Sequence, residues 1–170
     1  QAFLPAAFLR AGVIHGANFA FRRTTLEAVG GIDERLGAGT TFSSGEDIEI
    51  LARILSLGWS GFYDPRIVVS HDHGRSEMSV VSELARQYDR GRGAYYAKCI
   101  ANPKLRTTYA KHWYWAIRSQ PVRTTVRELA AAGKFVLRSP WSSSGIVAGR
   151  PAKRRGSDQL QAVAREADSF

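Results

Sequence analysis

Cysteine is almost missing from this chain: its 170 residues include one, Cys99, and a single methionine, Met78. One cysteine excludes an internal disulfide framework and any zinc site built on several thiolates, and it fits a reducing compartment most easily. No uninterrupted apolar run approaches the roughly 20 residues that a membrane-crossing helix needs. Residues 1–9 lack the basic leader and cleavage pattern of a secretory signal, so the chain is expected to be soluble or peripheral. No internal repeat is visible. Acids are scarce in one region only. Residues 80–155 hold 16 Lys and Arg against three Asp and Glu, residues 1–79 hold seven against nine, and residues 156–170 one against three, giving +9 in all. A block of +13 implies an anionic partner, nucleic acid or an acidic membrane surface. A merely solvated basic face is the plain alternative.

What is present reads as one globular domain, with 44% hydrophobic residues, four Trp and eight Phe. In Phe42–Leu57, the residues Ile48, Leu51, Ala52 and Leu55 recur at helical spacing. Gly58 supplies a stop. Ser43 with Glu46 three residues on matches a capping box, and Thr24 with Glu27 matches a second, ahead of a short helix closed by Gly30-Gly31. Asn18–Arg22 alternates as a short strand. WSGFYDP and RIVVSHDH read as two extended pieces divided by Asp64-Pro65. Beyond Gly74 the pattern turns helical, over 79–100, 104–118 and 121–137, with Gly91 and Gly93 weakening the first. A charged, flexible linker follows, and a loose terminal helix over 158–167.

Four features compete for a chemical role. Glu46 has a structural task as a cap, whereas Asp47 has none; a carboxylate held at a helix start beside a glycine suits a general base. His71 and His73 at a strand end would point the same way and reach one metal ion or anion, although a pair of satisfied turn histidines explains them equally. Arg22-Arg23 would clamp a phosphate or simply flank a strand. HWYWAIR, residues 112–118, mixes aromatics with basic residues as an interfacial helix, a core helix or a single-strand-stacking surface would.

Three successive stretches, GANFAFRRTTLEAVGGIDERLGAG, SSGEDIEILARILSLGWSGFYDP and the valine-rich run into HDH, together resemble the second half of the catalytic domain of family 2 glycosyltransferases. The likeness covers about Val13 to Gly74, and RGRGAYYAK, residues 90–98, resembles the segment that follows it in non-processive members. The resemblance implies an α/β fold, the acceptor half of a GT-A, Rossmann-like unit over residues 1–78. A basic amphipathic helical extension over 79–139 and a linker with a terminal helix over 140–170 would follow. It implies an inverting transferase with Asp47 as base and Glu46 beside it. Gly16, Ala17, Asn18, Arg22, Gly45, Arg90 and Arg92 would contact substrate, and His71 or His73 would approach a divalent cation, Mg or Mn. The implied partners are a nucleotide-sugar donor and a glycan or lipid-linked acceptor of the cell envelope. The basic extension adds an anionic membrane surface, so the expected location is cytoplasmic, peripheral on the inner face of the membrane.

Two departures qualify this. No Asp-x-Asp metal motif or strand–helix alternation of a donor half occurs, so the chain alone is expected to be inactive. Gln87 and Arg90 have the spacing of the processive Gln-x-x-Arg-Trp motif, but Gly91 stands where its tryptophan belongs. The rival readings are a basic nucleic-acid-binding module and a metal-dependent hydrolase using His71 and His73. No specific nucleic acid is expected under the transferase reading.

Overall fold

The computed structural model describes residues 2–14, 16–70 and 77–138. In chain order they form β1 (Ala2–Phe3), α1 (Arg23–Val29), α2 (Glu46–Ser56), β2 (Gly61–Phe62), α3 (Met78–Ala101), α4 (Arg106–Ser119) and α5 (Val122–Arg138). The two strands pair antiparallel, Ala2 with Phe62 and Phe3 with Gly61.

This helical architecture overturns the expected α/β, Rossmann-like half-domain. A strand persists only where a neighbour takes up its N–H and C=O groups, and the alternating stretches find none among the described residues. Asn18–Arg22 and Ile67–Ser70 belong to no ladder. Asp64-Pro65 starts a turn instead, with the Ile67 amide on the Asp64 carbonyl at 3.3 Å and the Arg66 amide on Asp64 Oδ1 at 3.0 Å. The Arg66 guanidinium beside it holds the Asp64 carboxyl at about 2, below its ordinary value. Ile67, Val68 and Val69 are exposed.

The helices follow the expected periodicity, but neither capping box forms. Helix α1 starts after Arg22 and α2 after Gly45, neither with a side-chain cap. Ser43 Oγ donates to the Thr40 carbonyl, and Glu46 is the first residue of its helix rather than the third.

Helix α2 is central because it is buried on two sides. Ile48, Ala52 and Leu55 join Leu9, Tyr95, Tyr96, Cys99, Leu105 and Tyr109 in one cluster, while Ile50 and Ile54 meet Val29 of α1 in another. The first cluster draws on residues from both sides of position 78. Each fully buried aliphatic side chain of this kind contributes about 1.5–3 kcal/mol. Polar groups inside are paired. The Tyr95 hydroxyl donates to the Leu9 carbonyl at 2.9 Å, and the Tyr109 hydroxyl accepts from the Leu9 amide at 3.1 Å. Glu49, 1% exposed, binds Arg53 through both oxygens at 2.6 and 2.8 Å and Lys98 at 2.7 Å. Arg53 continues to the Val29 and Gly31 carbonyls, each at 2.7 Å, so one guanidinium ties the end of α1 to α2. Burial acts to raise the Asp33 carboxyl, but the Arg35 and Lys98 partners outweigh it and hold the group well below its ordinary value.

Helix α3 packs along α5 through small residues. Ala94 and Ala97 face Ala131, Ala132 and Phe135, with Leu36 and Phe42 closing the cluster. At Gly93 a Cβ would fall 2.2 Å from the Glu128 carbonyl oxygen. Gly91 and Gly93 are therefore points of close approach rather than weaknesses in the helix.

Candidate functional site

Asp47 is the second residue of α2, half-buried. Its Oδ1 accepts from the Ile48 amide at 2.7 Å and its Oδ2 from the Gly16 amide at 3.1 Å. The second bond crosses 31 positions of sequence and brings the GAN segment onto the acid. A Cβ on Gly16 would sit 3.4 Å from the Asp47 Cβ. Glu46 turns the other way, over Gly37, where a Cβ would meet its carboxyl carbon at 3.0 Å. Gly37 has φ of 101°, a conformation that glycine adopts freely, so both its backbone and its missing side chain make room for Glu46.

The turn into α2 rests on α3. Gly45, at φ of 103°, lies against Gly91, where a Cβ would meet the Gly91 carbonyl oxygen at 3.2 Å. Ser44 Oγ reaches the Gln87 carbonyl at 3.4 Å. Three separated stretches, GAN, SSGED and RGRG, thus converge on the start of α2. The chain matches no protein-family model, no curated protein and no solved structure.

The other named residues divide. Ala17, Asn18 and Arg22 line a groove of about 840 Å³ between residues 13–22 and 59–69, floored by Leu51, Ile54 and Leu55 of α2. Asn18 Nδ2 donates across it to the Ile67 carbonyl at 3.0 Å. Arg90 pairs with Glu83 at 3.1 Å, and its Nε is buried with no partner among the described residues. Arg92 points away, onto Glu128 and onto Asp89 at 2.7 Å. His71 and His73 lie outside the described residues. Among the described residues, no group of three or more His, Cys, Asp and Glu is placed to hold a metal ion.

Glu128 was not singled out from sequence. It is fully buried and accepts from Arg92 Nε, from Trp113 Nε1 at 2.8 Å and from Gln120 Nε2 at 2.9 Å. The signal was available in its lone negative charge on a basic, amphipathic helix. Trp113 is accordingly half-buried against the core, stacked on Tyr96 at 5.3 Å, whereas Trp115 is exposed. Among the described residues, no helix is long and apolar enough to cross a membrane.

Proposed function

We propose that the start of α2 is an acceptor site for inverting glycosyl transfer from a nucleotide-diphosphate sugar, with Asp47 as general base and Glu46, packed over Gly37, holding the turn beside it. The observation that supports this reading is the convergence of the GAN, SSGED and RGRG segments, separately named by the resemblance to family 2 glycosyltransferases, on the start of α2. Asp47 takes the proton of an acceptor hydroxyl. The acceptor oxygen bonds to the anomeric carbon from the face opposite the phosphate, the carbon–oxygen bond to phosphate breaks, and the nucleoside diphosphate leaves with that electron pair. The amides of Gly16 and Ile48 orient the carboxylate.

The acceptor in this proposal is a glycan or lipid-linked hydroxyl of the cell envelope, and the protein works peripherally at the inner face of the membrane. The concentrated positive charge of residues 80–155 supports that placement. The test is nucleoside-diphosphate release by the full-length enzyme, from a panel of nucleotide sugars with and without acceptor. Asp47→Asn keeps the shape and removes the basicity, so acceptor-dependent release should fall about 10²–10⁴-fold with folding and donor binding retained. Unchanged turnover in Asp47→Asn would leave Asp47 only its helix-start role.

A further inference from the structure

Helix α5 carries its larger aliphatic side chains on the outside. Its buried residues are Glu128, Ala131, Ala132 and Phe135, whereas Val122, Val126, Leu129, Val136 and Leu137 are 48–87% exposed. At 3.6 residues per turn these five occupy an arc of about 100° on the side away from α3. Arg123, Arg127, Lys134 and Arg138 fall together along one border of that arc. Arg127 leans back to Asp89 at 3.0 Å and Arg138 to Thr41 at 3.1 Å. Arg123 and Lys134 have no ion-pair partner among the described residues. Between residues 106 and 138 the one acid is Glu128, which is fully buried.

We propose that the outward face of α5 is the surface by which the protein lies on an anionic lipid bilayer, the aliphatic stripe at the boundary of headgroups and acyl chains and the basic row on lipid phosphates. This rests on the peripheral attachment proposed above and supplies the face that makes it. Charge complementarity selects the occupant. A second copy of the helix would bring basic row against basic row with no exposed acid to offset it. A nucleic acid would find no ring to stack on, because the one aromatic of α5, Phe135, is buried. An interfacial helix, by contrast, takes an aliphatic face bordered by Lys and Arg.

The experiment is flotation of the 170-residue chain with phosphatidylcholine vesicles, with and without phosphatidylglycerol, at low and high salt. Two double variants are compared with the parent: Val126→Ser with Leu129→Ser, and Arg123→Gln with Lys134→Gln. All four positions are exposed, so circular dichroism and melting should match the parent. The parent should float with anionic vesicles and less so at high salt, and each double variant should lose about tenfold in partitioning. A Val126→Cys chain labelled with a polarity-sensitive dye, selectively because Cys99 is buried, should shift to the blue on anionic vesicles. No flotation of the parent overturns the attachment and this surface together. Parent flotation with both variants floating equally, or an unshifted dye, overturns the α5 assignment alone. A dimer in light scattering that the serine variant abolishes gives the face to a second copy, and displacement by DNA gives it to nucleic acid. None of these measures glycosyl transfer, so the Asp47 reading stands or falls separately.

Discussion

Gly91 and Ser44 approach more closely than any side chain permits: a Cβ on Gly91 would fall 2.0 Å from Ser44 Oγ and 2.5 Å from the Ser44 carbonyl oxygen. The turn that presents Glu46 and Asp47 is thus seated directly on the backbone of α3. A seat made of backbone cannot yield as the end of a flexible side chain can.

Gly91→Ala sets two effects against each other. Alanine improves a helix interior by about 1 kcal/mol, and overpacking costs about 1–3 kcal/mol, toward the upper end against backbone. The expected net change is a loss of about 1–2 kcal/mol in urea unfolding. Gly133→Ala is the matched control, because nothing lies within 4 Å of its Cβ position. It should gain about 0.5–1 kcal/mol. Gains at both positions would refute a tight contact at Gly91.

Glu128 should be the costliest single truncation on α5. Removing a buried carboxylate strands its partner, here Arg92, whose side chain is 29% exposed. The expected cost of Glu128→Ala is about 3–5 kcal/mol, at the lower end because Arg92 keeps Asp89. Glu128→Gln retains an acceptor for Trp113 and should cost less. Equal urea midpoints for Glu128→Ala and the parent would mean that the hub carries no stability.

Alkali should unfold the protein through its aromatic core. Burial pushes the Cys99 thiol and the Tyr95 and Tyr109 hydroxyls up, and Tyr96 to about 12. The unfolded chain releases these protons near the ordinary values of 9.0 and 10.0, so above that range it binds fewer protons than the folded one. Stability is therefore fully present below about 9 and falls as pH rises toward the raised values. The check is the urea midpoint against pH, together with the rate at which a thiol reagent reaches Cys99. A midpoint flat across the tyrosine range, or fast labelling at neutral pH, contradicts it.

The helices were legible because their apolar spacing is local information: the three basic helices begin and end within two residues of where periodicity put them. The sheet was not, because alternation in Asn18–Arg22 and Ile67–Ser70 describes a strand's faces and says nothing of whether a neighbour exists. Capping boxes failed for a similar reason. Ser43 found the Thr40 carbonyl first, and Gly45 in a left-handed conformation began the helix without a side chain. Asp47 reads in the sequence as an acid lacking a structural task, whereas in the fold it accepts from the Ile48 and Gly16 amides; the Gly16 contact spans 31 positions and no local pattern encodes it. Arg92 looked like Arg90 in RGRG; two positions along a helix turn them to nearly opposite sides, one onto Glu83 of its own helix and one into the α5 interface.

The glycine and alanine seam between α3 and α5 also works as a rotational lock. With Gly93 against the Glu128 backbone, the two axes sit too near for α5 to roll and hide Leu129 or Val126. Rolling would need the helices to move apart and would unhook Glu128 from Arg92 and Trp113 together. Which side of α5 meets the surroundings is thus decided by size at the seam and not by greasiness. Enlarging one seam residue, for instance Ala132, would swing the whole outer stripe while leaving every residue in it unchanged.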